Sequence, residues 1–172
     1  MILMAAARSR RIALFKFLGE GRVASRQQLE RERGFRDYVA LHSPETEIVD
    51  LNLYAYDREG VHESLRAFFT QQKDVRYGLS FNSSIHVIGN FLKDEMPDHG
   101  HVTLLGYDAI DANIRCMRDG YLDLLVGQHP QHQGLNCFRS IFNSTVLGMK
   151  QQVVHYVPIE IIVPENLDFY ND

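Results

Sequence analysis

Four polar side chains each follow a short apolar run in this sequence. They are Tyr56, Asn82 in Phe81-Asn82-Ser83-Ser84, Asp108 in Gly106-Tyr107-Asp108, and Gln128 in Gly127-Gln128-His129-Pro130. An aspartate offers two acceptor oxygens, while asparagine and glutamine each offer one acceptor and two donors. A tyrosine ring covers the apolar C–H face of a sugar. That mixture suits a polyhydroxylated ligand, whose hydroxyls need donors and acceptors together. Each residue also has a local reading. Asn82 could cap the helix that follows, Asp108 could bond its own turn, Gln128 could be a solvated loop residue, and Tyr56 a packed surface aromatic. Their shared position after successive strand-like runs is the stronger argument.

Signatures of catalysis are missing from the sequence. It has no G-x-S-x-G elbow, no G-x-x-x-x-G-K-[ST] phosphate loop and no H-E-x-x-H. Gly19-Glu20-Gly21 follows the first strand-like run, but without a third glycine it is a weak dinucleotide signal. His129 and His132 are three apart, and His99 lies near His101. With no cysteine or matched carboxylate nearby, solvated loop histidines are the expectation. Cys116 and Cys137 sit in helix-like patterns and read as reduced structural thiols, which suits a reducing cytoplasm. The expectation is a binding protein with no catalytic residue, no metal and no cofactor.

The elements that must position the polar residues alternate. Strand-like runs cover residues 11–17, 47–53, 76–81, 101–107 and 122–126. Helix-like runs cover 26–41, 59–72, 84–95, 111–119 and 131–148, and residues 153–163 are extended with a break at Pro158. In the run 59–72, Val61, Leu65, Phe68 and Phe69 form one stripe. Strict β-α alternation predicts an α/β fold with a doubly wound parallel sheet and helices on both faces. Such sheets bind ligands at the carboxyl ends of their strands, where the four residues fall.

The chain has 172 residues, 45% of them hydrophobic, with a formal net charge of −4. This suits one domain, or one lobe and part of another, with a real core. Arg26, Arg31, Arg33 and Arg36, with Arg8, Arg10, Arg11 and Arg22, are interleaved with Glu20, Glu30, Glu32 and Asp37. The expected result is a solvated mixed face rather than a nucleic-acid surface. The apolar opening, residues 1–7, is too short to span a membrane and reads as the end of a helix.

The stretch LLGYDAIDANIRCMRDGYLDLLVGQHPQHQG, residues 104–134, resembles the effector domain of LacI/GalR-type transcription regulators and their periplasmic sugar-binding relatives. The shared features are a Gly-aromatic-Asp ending one strand, a short helix leading to Gly, and a strand ending in Gln with Pro soon after. Arg31-Glu32-Arg33-Gly34-Phe35 resembles the family's Arg-x-x-Gly-aromatic helix, and Phe81-Asn82 its strand-end Asn. The resemblance covers roughly residues 11–163. It implies a Rossmann-like lobe of a type I periplasmic-binding-protein fold, with ligand contacts at Asn82, Asp108 and Gln128 and an aromatic contact at Tyr56. Where many members place a ligand-binding Arg this chain has Leu29, with Arg26 one turn earlier. Arg31 matches a position read as structural.

The same resemblance implies residues 1–128 as the second lobe, 129–150 as a helix remnant of the first lobe, and 151–172 as a return with a C-terminal tail. Leu135, Phe138 and Phe142 of the remnant then need another cover. The partners implied are a sugar-like effector, a second copy in a homodimer, and operator DNA through an N-terminal domain outside this chain, with no membrane. A lobe of a periplasmic sugar receptor is the alternative. Val61, Leu65, Ile88 and Phe91 are candidates for a dimer face, with core packing the stronger reading.

Overall fold

A computed structural model describes residues 11–19, 25–54 and 56–170. The expected helix end at residues 1–7 and most of Gly19-Glu20-Gly21 lie outside them. The chain begins with β1, Arg11–Leu18. Its Ile12 and Leu14 point to one face and Ala13 and Phe15 to the other, and all four are buried. A strand buried on both faces belongs in the interior of a sheet. It pairs over its whole length with β2, Glu47–Tyr54, and on its other side with β3, Tyr77–Leu79. Next come β4, Thr103–Tyr107, and β5, Leu124–Gly127. All these pairings are parallel. The sheet order is β2-β1-β3-β4-β5-β6.

The last strand departs from the expected pattern. Of the extended run at 153–163, only Glu160–Ile162 forms a strand, β6, and it is antiparallel to β5. Gly127 at the end of β5 faces Glu160 at the start of β6. The chain re-enters at the edge it left, so it must run back down the sheet.

Four helices connect the parallel strands. These are α1, Arg26–His42; α2, Arg58–Gln71; α3, Ile85–Glu95; and α4, Asp111–Arg118. Ser25 starts α1 through a capping box, its Oγ accepting from the Gln28 N–H while Gln28 Oε1 accepts from the Ser25 N–H, both at 3.2 Å. Asp57 starts α2 by accepting from the Gly60 N–H at 2.9 Å. The helices divide unevenly. Phe35 of α1 packs with Ile12, Leu14 and Leu79 on one face. On the other, α2, α3 and α4 enclose the main core, where Phe15 meets Phe68 and Phe69 at centroid distances of 5.7 and 6.1 Å.

Val61, Leu65, Ile88 and Phe91 belong to that core and are nearly inaccessible. They form no exposed face, so the core-packing reading holds. The charged face of α1 is mixed, as expected. Lys16 bonds Glu32 at 2.7 Å and Arg36 bonds Asp50 at 2.6 Å. Burial alone would push the Glu32 carboxyl up, but hydrogen bonds from Lys16 and Arg36 outweigh it and hold the group below its ordinary range.

The final helix, α5, Pro130–Thr145, has no buried residue. Leu135, Phe138, Ile141 and Phe142 are exposed along it. Among the described residues, no helix is long and apolar enough to cross a membrane.

Two outcomes follow from this packing. A Cβ at Gly89 of α3 would lie 2.3 Å from Cys116 Sγ and 2.6 Å from the Tyr121 carbonyl oxygen. The backbone contact cannot swing aside, so Gly89→Ala is expected to cost about 1–3 kcal/mol in urea unfolding, the usual penalty for overpacking. Burial pushes the Cys116 thiol up to about 11, whereas Cys137 is exposed. At pH 8 a thiol reagent should therefore label Cys137 within minutes and Cys116 only on unfolding. Equal labelling rates would contradict this packing.

Candidate functional site

Parallel pairing brings the carboxyl ends of β1 to β5 to one edge. Asn82, Asp108 and Gln128 follow β3, β4 and β5, which are neighbours in the sheet. Two of the three touch. Gln128 Nε2 donates to Asp108 Oδ1. Gln128 Oε1 in turn accepts from Arg31 at 2.6 Å and Gln27 at 3.1 Å, both on α1. The Gln128 amide thus bridges a guanidinium and a carboxylate, and charge at each end strengthens its bond.

Arg31, read from its position as structural, makes two further contacts within the protein. Its second terminal nitrogen donates to the Phe81 carbonyl at 3.0 Å, and its guanidinium lies 4.0 Å above the Tyr107 ring. Such stacking on an aromatic face attracts a cation. Burial pushes the Tyr107 phenol up, against the opposing pull of Arg31, so the ring faces Arg31 uncharged. The signal was present in the Arg-x-x-Gly-aromatic spacing. It marked the residue without showing that its side chain reaches Gln128, just past the end of β5. Leu29 is exposed.

Asp108 is held by its backbone. It adopts φ +67, the left-handed region that aspartate enters more readily than most residues. Its N–H donates to the Val126 carbonyl at 3.0 Å. Asn113 of α4 fastens it from behind. That side chain is fully buried, and its Nδ2 donates to the carbonyls of Tyr107 at 3.0 Å and Asp108 at 2.8 Å. Its Oδ1 accepts from the His86 N–H at 3.2 Å and lies 2.9 Å from His86 Nδ1. Asn113 went unnoticed in the sequence. The available signal was its place on the buried stripe with Cys116 and Met117, where a polar residue needs partners.

Asn82 bonds locally, though not as the helix cap foreseen as its alternative: the N-cap of α3 is Ser84, and no side chain caps it. Its Oδ1 accepts from the Ser84 N–H at 2.9 Å and Ser80 Oγ at 3.1 Å. Its amide nitrogen keeps two donors with no bonded partner among the described residues. Tyr56 stands apart. It follows β2, with β1 between it and β3, and its exposed ring leans on Tyr54 at 5.9 Å. The structure shows no contact between Tyr56 and the other three.

This edge is a wall rather than an enclosure. The notch beside Asn82, lined by Phe17, Gln28, Ser80 and Phe81, holds about 40 Å³, where small-molecule sites commonly hold roughly 300–1,000 Å³. A cavity of about 510 Å³ lies between α2 and α3 and reaches the carboxyl edge at Phe17, Arg58 and Ser84, and one of about 470 Å³ lies along the sheet face beside α1. Of the four histidines expected to be solvated, His101 and His132 are exposed and the other two are not. His129 is enclosed and paired with Glu160, and His99 is partly buried, its ring against Phe69. Among the described residues, no group of three His, Cys, Asp or Glu side chains is placed to hold a metal.

A six-stranded, mostly parallel sheet with polar groups gathered at its carboxyl edge defines one lobe of a type I periplasmic-binding-protein-like fold. The family model for the periplasmic binding protein domain matches residues 3–144, and the chain belongs to that family. A protein from Bacteroides fragilis, assigned as a LacI transcriptional regulator, is 33% identical, with a TM-score of 0.91 over 99% of this chain and 58% of its own. The fold also matches GanP, a glucose-galactose binding protein from Geobacillus stearothermophilus, with 17% identity, a TM-score of 0.74 and coverage of 96% and 56%. It matches the Caulobacter myo-inositol binding protein with 19% identity, a TM-score of 0.72 and coverage of 95% and 60%. The chain spans about three-fifths of the length of each. No curated protein matches it.

Asn113→Ala removes the donors to two carbonyls and the acceptor for one N–H. Each buried group left unsatisfied costs roughly 1–3 kcal/mol. The variant should lose about 2–4 kcal/mol in chemical denaturation. A change below about 0.5 kcal/mol would mean that water replaces the side chain freely.

Proposed function

We propose that this chain is the second lobe of the effector-binding domain of a LacI-type transcription regulator, holding a neutral sugar or sugar derivative at the carboxyl edge of its sheet. One observation carries the reading. Asp108, Gln128 and Arg31 form a joined set of acceptors and donors, with the amide donors of Asn82 on the neighbouring strand. Support for the regulator comes from the 33% identity to the Bacteroides fragilis protein over almost the whole chain. The fold shared with sugar-binding proteins supports the ligand class and keeps a second reading in view, the lobe of a periplasmic sugar receptor.

In this reading Asp108 accepts from two ligand hydroxyls, Gln128 both donates and accepts, and Asn82 donates. Tyr56 contributes an aromatic face only if the opposite wall brings ligand towards β2. That wall belongs to a first lobe outside this chain. Residues 129–150 pack on it through Leu135, Phe138 and Phe142, and residues 151–172 return to the second lobe. Ligand favours closure of the two lobes by its greater affinity for the closed state. Closure alters the spacing of DNA-binding heads in a cytoplasmic homodimer. The protein performs no chemistry on the ligand and needs no cofactor.

The test is calorimetric titration of the two-lobed protein with a panel of pentoses, hexoses and inositols. One sugar should bind, and Asp108→Ala should weaken it at least 10-fold, as expected when a bond to a charged group worth roughly 1.5–3 kcal/mol is lost. The 172-residue chain alone should bind far more weakly. Unchanged affinity in Asp108→Ala would remove that residue from the site, and micromolar binding to the lone chain would refute the two-wall arrangement. An operator-release assay separates regulator from receptor.

A further inference from the structure

The chain leaves the sheet at Gln128 and returns at Glu160. Because Gly127 pairs with Glu160, exit and re-entry lie side by side. His129 sits at this junction with φ +49, a left-handed backbone unfavourable for a residue with a side chain. Its imidazole Nε2 lies 2.9 Å from Glu160 Oε2, and its side chain is only 12% exposed against 39% for Glu160. The ring stacks on His132 at 5.4 Å and leans on Tyr170 at 5.2 Å. Gly127 makes room for that packing, since a Cβ there would lie 2.9 Å from the Tyr170 ring. The residue after Gln128 is therefore held in a costly conformation by contacts made through its own side chain.

We propose that His129 is a positioning residue for Gln128, acting through Glu160, and that it makes the setting of Gln128 depend on protonation. The proposal rests on the reading above only in treating Gln128 as part of the ligand wall. A protonated imidazole gives Glu160 a bond with opposite charges on both partners, the strongest form available to the pair. Loss of the proton leaves a weaker bond, or a tautomer whose bare Nε2 faces the carboxylate. The left-handed backbone then loses its support. Gln128, one peptide bond away, loses the fixed direction that aims it at Asp108 and Arg31. The range to test is about pH 5 to about pH 8, where histidine is the ordinary side chain that alters its charge. Among the groups that face His129 are Glu160 from β6, His132 from α5 and Tyr170 from the C-terminal turn.

The experiment is nuclear magnetic resonance of the full 172-residue chain, following the Gln128 side-chain amide across that pH range. The wild-type signals should shift with a single histidine-like transition. Glu160→Gln and His129→Asn should each abolish it. The second keeps a residue tolerant of the left-handed backbone, so its folding is not the issue. His132→Gln should retain the transition. A purely structural role for His129 would lower the unfolding temperature of both variants without removing a pH-dependent shift at Gln128. The proposal is overturned if the wild-type signals do not move, if the transition survives in Glu160→Gln or His129→Asn, or if His132→Gln removes it. The sugar reading fails separately. In that case D-glucose, D-arabinose and myo-inositol leave the calorimetry of the two-lobed protein flat, while the Gln128 transition in this chain stands.

Discussion

Parallel strands begin at one edge of a sheet and end at the other. With five strands parallel in this lobe, every loop after a strand opens on the same side. Residues 26 positions apart in sequence, such as Asn82 and Asp108, become neighbours without any direct attraction between them. The constraint depends on β1, whose alternate residues are buried on opposite faces and which therefore takes an interior place. The site is a by-product of that burial, refined by the groups that fasten its edge.

Those groups work in two directions. Asn113 grips the backbone of Tyr107 and Asp108 from the helix side of the sheet, fixing where the carboxylate starts. Arg31 and Gln27 reach across from the opposite helix to fix Gln128. Asp108 and Gln128 are thus held by bonds within the protein. In the site we propose, a ligand would meet partners already oriented, which reduces the ordering cost of binding. The same economy explains the left-handed backbones at Asp108 and His129. Strain is tolerated where surrounding contacts over-determine it, and it clusters at working edges.

Much of the fold was legible in the sequence. Alternating apolar runs and helical stripes gave the strand and helix order, because burial on a sheet and on a helix leave different periods. The strand-end positions of Asn82, Asp108 and Gln128 followed from that order. Side-chain identity was less readable. Nothing in the spacing of Asn82 distinguished a free amide from one whose oxygen is spent on Ser80 and Ser84. Asn113 looked like one polar residue among others, since its bonds join the turn at Tyr107 and Asp108 to His86, 27 residues away.

By itself, the sequence determined the α/β class, the set of strands and the polar residues that end three of them, because local patterns of burial encode each element. The tertiary structure alone decided strand order. That order places β1 between Tyr56 and the site and brings Arg31 onto Gln128 and Tyr107. It also decided that β6 runs antiparallel and that His129 meets Glu160. These outcomes depend on which elements lie side by side, and adjacency is set by how the layers pack around β1 rather than by any short stretch of chain.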